Sequence, residues 1–252
     1  MLNFIVNPIT QVLIFLYGLT QNLGVAILLL TLAIRGILVP VTIPSLRSAK
    51  KMQELKPRLD KLKEKIKDKQ KLQLAQLELY KQEGINPAAG CLPQIAQLLI
   101  LISLYTVFNN IIQDNQINGQ PLNMNFLWLN LSQPDPLFIL PILAGVTQLI
   151  LSLMMMSGLE KHVQAPKAKL EKKKEEDSLE MAQGMQQQML FIMPVMTGII
   201  ALKFPSGLAL YWVATTVFSL VQQYIISGPG GLKTLPLQIA VFKNKINLKF
   251  RI

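Results

Sequence analysis

No Asp or Glu occurs in any long apolar run of this 252-residue chain. The runs at 1–46, 92–112, 136–158 and 189–226 hold two charges between them, Arg35 and Lys203. A lone cation with no acid in its own apolar segments has no internal ion-pair partner. Histidine is nearly absent: His162 is the only one, in a charged stretch outside the runs. That excludes a Ser–His pair inside a membrane. There is no HExxH motif and no pair of aspartates in the runs, so no catalytic, metal or cofactor site is expected, and the protein is expected not to be an enzyme. The single cysteine, Cys91, excludes an intrachain disulfide. "AAGC" (Ala88–Cys91) matches a lipoprotein cleavage site in letters only, because a charged segment precedes it. No basic stretch follows Met1, so no cleavable signal is expected.

What is present is apolar. Hydrophobic residues make up 51% and charged residues 15%, against roughly a quarter charged in soluble domains. Apolar runs of this length read as an all-α polytopic membrane protein. The net charge of +11 then reads as Lys and Arg gathered on cytoplasmic loops.

The first run is too long for one span of about 20 residues. Asn3, Asn7, Thr10, Gln11, Gly18 and Gln21, polar or small, fall on one helical face. Residues 1–22 therefore read as an amphipathic helix in the membrane interface. The first span follows at 23–42. Residues 43–88 read as a cytoplasmic helical hairpin turning near Asp68–Gln70, with Pro57 expected to kink its first arm. Met52, Leu55, Leu59, Leu62 and Ile66 keep a 3-4-3-4 spacing, a coiled-coil stripe, and Tyr80 belongs to the second arm. The second span is expected at 89–113 and the third at 134–158. A charged cytoplasmic loop at 159–187 separates them from a fourth span at 188–203. "LKFPSG" supplies the turn, and a fifth span at 206–226 leads into a basic tail at 227–252.

Of 25 Lys and Arg, 23 lie in the hairpin segment, the loop and the tail. Five spans put all three on one side, which the positive-inside rule makes the cytoplasm, with the N-terminus outside. Arg35 is then inside the first span. An arginine at depth costs about 2.5–3.5 kcal/mol on insertion scales, so it needs water or protein around it. Neutral polar residues on other spans include Gln97, Thr147, Gln148 and Ser219. A lone cation among such groups points to a hydrated pocket that receives something acidic from outside the chain.

Three stretches together resemble the YidC/Oxa/Alb membrane-protein insertase family. They are "IRGILVPVTIPSLRSAKKMQELKP" (Ile34–Pro57), "LYKQEGINPAAGCLPQIAQLLILISLY" (Leu79–Tyr105) and "FPSGLALYWVATTVFSLVQQY" (Phe204–Tyr224). They occur in the family's order and resemble its minimal five-span core. The resemblance implies an insertase and chaperone in the cell inner (plasma) membrane. It implies a groove open to the cytoplasm and to lipid, with Arg35 in it and Trp212 facing it. Gln97, Thr147, Gln148 and Ser219 are expected to line that groove by their polarity. Met52, Leu55, Leu59, Leu62, Ile66 and Tyr80 would belong to a hairpin that captures substrate. The partners implied are nascent membrane proteins and lipids, with the ribosome (through the tail and loops) and the Sec translocon as further candidates. A small transporter or channel is the competing class.

Overall fold

The computed structural model describes residues 3–66, 68–85, 92–114, 116–117, 120–155 and 192–233. The expected loop at 159–187 and the tail beyond Lys233 lie outside the described residues. Seven α-helices are described: α1 (Asn3–Thr20), α2 (Leu23–Lys65), α3 (Lys69–Gln82), α4 (Leu92–Asp114), α5 (Ile139–Met155), α6 (Ile192–Ala201) and α7 (Ser206–Ser227). A 3-10 turn, Gly230–Lys233, follows α7. Between α4 and α5 are two small antiparallel hairpins. β1 (Gln116–Ile117) pairs with β2 (Gln120–Pro121), and β3 (Asn125–Phe126) with β4 (Leu129–Asn130). The fold is otherwise all-α.

Four helical stretches are long and apolar enough to cross a membrane: α1, Leu23–Met52 of α2, Ile95–Gln113 of α4, and α7. Helices α5 and α6 are shorter over their described residues. Three of the five expected spans, the first, second and fifth, fall within this set, and the third and fourth correspond to α5 and α6. Helix α1 meets the criterion because its apolar residues outnumber the polar face that suggested an interfacial helix.

The expected boundary at 42/43 is no break. Asn22 caps α2, its side chain accepting from Val25 N at 3.1 Å. The helix then runs 43 residues without interruption through Pro40, Pro44 and Pro57, about 65 Å at 1.5 Å per residue. That is about twice the hydrocarbon thickness, so the same helix forms the first span and the first arm of the hairpin. Asp68 starts α3 by accepting from Gln70 N and Lys71 N, which puts the turn within two residues of the expected position. Leu55, Leu59, Tyr80 and Ile85 form a small core there, with Met52 and Leu79 packed on it. Leu62 and Ile66 are only half-buried and outside that core. Arg58 and Glu83 pair at 2.7 Å on its exposed side. Burial pushes the Tyr80 hydroxyl pKa up.

The main core sits at the other end of the bundle, the end that carries the strands. Leu13 of α1, Leu23, Ile27 and Leu30 of α2, Leu104 and Phe108 of α4, Leu131, and Leu208 and Tyr211 of α7 are all fully buried. Two glycines let it close. A Cβ on Gly207 would overlap the Phe108 ring, and one on Gly24 would overlap Phe126. The strand segment also finishes the helix ends. Helix α7 begins after Pro205 with no side-chain cap, leaving N–H groups in need of acceptors. Gln133 O accepts from Ser206 N at 2.7 Å and Leu131 O from Gly207 N at 3.1 Å. Asp135, 3% exposed, does the same for α5, accepting from Leu137 N and Leu140 N.

Candidate functional site

The inner face of α2 changes character along its length. Leu23, Ala26, Ile27 and Leu30 are followed at the same helical spacing by Thr31, Arg35, Thr42 and Ser45. Arg35 is the first charge, about 18 Å along the axis from Leu23 at 1.5 Å per residue. Its guanidinium Nη2 donates to Gln97 Oε1 of α4 at 2.8 Å. Gln97 Nε2 in turn donates to the Tyr211 hydroxyl of α7 at 3.3 Å. Three helices far apart in sequence are thus joined through one chain of side chains. Arg35 has no carboxylate partner among the described residues; the ion pair described there is Arg58–Glu83.

Tyr211 is 1% exposed and belongs to the apolar core. The Arg35–Gln97–Tyr211 chain therefore lies on the boundary between that core and a more polar half of the bundle. In the polar half, Gln222 Nε2 of α7 donates to Thr42 Oγ1 of α2 at 2.7 Å. Lys50 Nζ reaches Ile226 O at 3.5 Å, near the C-terminal end of α7, where a cation meets unpaired carbonyls. Gln223 is 1% exposed, and neither atom of its amide finds a hydrogen-bond partner among the described residues. A buried amide without partners is costly in a dry interior, by about 1–3 kcal/mol per group.

Of the expected site residues, the structure joins Arg35 and Gln97. Trp212 is half-buried and stacks in a row with Phe204 (6.3 Å) and, through it, Tyr105 (5.9 Å). Its neighbour Tyr211 is the one in reach of the Arg35 network. Thr147 bonds back to Leu143 O and Ala144 O of its own helix, and Ser219 to Thr215 O of its own. Both satisfy themselves locally and are not drawn to Arg35. Gln148 is half-buried on α5. Tyr211 was not singled out from the sequence, and Gln222 and Gln223 stood only among the neutral polar residues of the spans. The signal was available in "LYW" and "QQY": successive residues point about 100° apart on a helix, so only one of each pair can face a given neighbour.

A profile described as 60Kd inner membrane protein matches residues 15–230. The chain is 36% identical over 248 residues to membrane protein insertase MisCA of Bacillus subtilis, covering 96% of this chain and 85% of that one. It is 32% identical over 234 residues to membrane protein insertase YidC of Fusobacterium nucleatum, covering 91% of this chain and all of that one. A solved structure, a YidC insertase with its first transmembrane domain resolved, superposes with a TM-score of 0.62 at 27% identity. The match covers 88% of this chain and 46% of that one, so the chain spans about half of that longer protein. The chain belongs to the 60Kd inner membrane protein family, the family of the YidC insertases.

Proposed function

We propose that this multi-pass membrane protein is a membrane-protein insertase that passes short polar tails of nascent membrane proteins across the bilayer. The observation that carries this reading is the position of Arg35. It meets only neutral partners among the described residues, at the inner limit of a closed apolar core. The closed end faces outward, the polar half and the helical hairpin face the cytoplasm, and the N-terminus is outside. Five spans agree with the distribution of 23 of the 25 basic residues, with α1 lying in the interface.

In this mechanism the substrate's tail enters the polar half and needs to cross only the apolar core. Arg35 attracts an acidic residue on the tail. A potential negative inside drives an acidic tail outward by about 2.3 kcal/mol per charge per 100 mV. The substrate's apolar segment moves sideways into lipid at about 25 cal/mol per Å2 of apolar surface buried. Trp212, Thr147, Gln148 and Ser219 line the path, and the hairpin core of Leu55, Leu59 and Tyr80 presents the arm that first meets the substrate. The chemistry is non-covalent. The basic tail offers charge to ribosomal RNA, and the Sec translocon is a candidate neighbour.

Reconstituting the purified chain in liposomes tests the reading. Integration of a single-span substrate without ion leakage supports it. Ion conduction without integration would sink it in favour of a channel.

A further inference from the structure

The strand end of the bundle exposes four large apolar side chains in one place. They are Leu127 (76% exposed) and Trp128 at the β3–β4 turn, and Leu137 and Phe138 just before α5. Asp135 holds the two pairs together. Its carboxylate accepts from the Trp128 indole N–H at 3.2 Å and from Leu137 N at 3.0 Å, and its backbone carbonyl accepts from Phe138 N. Three non-glycine residues have positive φ among the described residues, and two of them are Leu127 (55°) and Phe138 (56°). Bulky residues rarely adopt that conformation. The structure therefore maintains some strain in order to show these side chains to the outside.

What covers them follows from their surroundings. Phe138 sits one turn above Ile142, accepting from its N–H at 3.2 Å, and the exposed apolar surface continues down α5 through Ile142, Val146 and Leu149. The patch is thus the upper rim of a face already suited to lipid. No Lys, Arg, Asp or Glu occurs from 115 to 134, and Asp135 is 3% exposed with its carboxylate held by Trp128, Leu137 and Leu140, so no exposed charge of this segment opposes entry into an apolar layer. The indole is half-exposed with its N–H satisfied, the arrangement favoured at headgroup depth.

We infer that Leu127, Trp128, Leu137 and Phe138 form a lipid-binding wedge seated in the bilayer leaflet at the strand end. It fixes the depth of α5 directly. It fixes the start of α7 as well, because Leu131 and Gln133 of the same segment accept from Gly207 N and Ser206 N. The inference needs the chain to be in a membrane but does not need it to be an insertase.

The chain has two tryptophans, so Trp212→Phe leaves Trp128 as the sole reporter. The full chain is reconstituted in phosphatidylglycerol–phosphatidylethanolamine vesicles, with and without lipids brominated near the headgroup end of the acyl chain. The expected result is blue-shifted emission, strong loss of fluorescence with brominated lipid, and little loss with iodide present on both faces. Quenching by iodide alone overturns the wedge, because it leaves Trp128 in water. Quenching by neither overturns it also, because protein then covers the patch, whether a second copy or a partner. Where Trp212→Phe fails to fold, a nitroxide at Leu127→Cys in the Cys91→Ser chain gives the same answer. Greater accessibility to oxygen than to a soluble nickel complex supports the wedge; the reverse refutes it.

Discussion

Replacing Gln97 by Glu puts a carboxylate where a neutral carbonyl oxygen now accepts from Arg35 at 2.8 Å. The side chain keeps its shape, so the packing of α2 against α4 and α7 is undisturbed. A unit pair about 4 Å apart at an effective dielectric near 20 is worth about 4 kcal/mol. The present bond between a charge and a neutral group contributes about 1.5–3 kcal/mol. The resident carboxylate therefore holds Arg35 about 1–2.5 kcal/mol more tightly than Gln97 does. An acidic substrate tail must overcome that difference, which weakens its engagement about 5- to 70-fold. Tyr211 keeps its contact by donating its hydroxyl proton to the new carboxylate. The assay is insertion of a single-span substrate in a depletion strain, comparing a tail that carries Asp with the same tail carrying Asn. The Gln97→Glu chain should lose the Asp-tailed substrate and keep the Asn-tailed one. Full insertion of the Asp tail by Gln97→Glu would refute the charge-attraction role of Arg35.

Arg35→Ala should impair the same acidic substrate, and Arg35→Lys should largely restore it, measured in the same strain. Gly207→Ala forces a methyl into the Phe108 ring and should lower stability by about 1–3 kcal/mol; thermal unfolding in detergent reads this, and Phe108→Leu should recover part of it. Leu59→Ala removes a buried side chain from the hairpin core and should destabilise that core by about 2–5 kcal/mol. Limited proteolysis should then cut near the hairpin while the membrane helices stay protected. Tyr80 has its pKa raised by burial, so the folded hairpin prefers the protonated hydroxyl. That contribution is complete below the ordinary tyrosine value near 10 and fades as pH rises through the higher folded value. Protection of the hairpin should fall in that range, and Tyr80→Phe should remove the tyrosine part of the fall.

Much of the architecture was legible because membrane insertion constrains sequence so strongly. An uncharged run has to be helical where lipid leaves its backbone groups no other partner, so α2, α4 and α7 could be located from composition. The hairpin turn, expected near Asp68–Gln70, falls where the Asp68 side chain caps α3. The continuity of α2 was not. A boundary was expected at 42/43 and a kink at Pro57, whereas the helix runs on through both, with Pro40, Pro44 and Pro57 inside it. Strands β1–β4 were also missed. Each is two residues long, too short to leave an alternating pattern.

The site divides along the same line. The sequence by itself determined that Arg35 is buried in an apolar run, that no acid in the spans can neutralise it, and that its candidate partners are neutral amides and hydroxyls. Those are facts of composition. Which of those neutral groups reaches it was decided only by tertiary structure. Gln97 is 62 residues away and Tyr211 a further 114 from Gln97, and no local pattern records how three helices are rotated about their axes. That rotation turns Tyr211 to the network and Trp212 to Phe204. It follows from side-chain packing across the whole core, including the close approach of Gly207 to Phe108. Position along a helix is written in the order of residues, whereas the direction a residue faces is settled by everything packed around it.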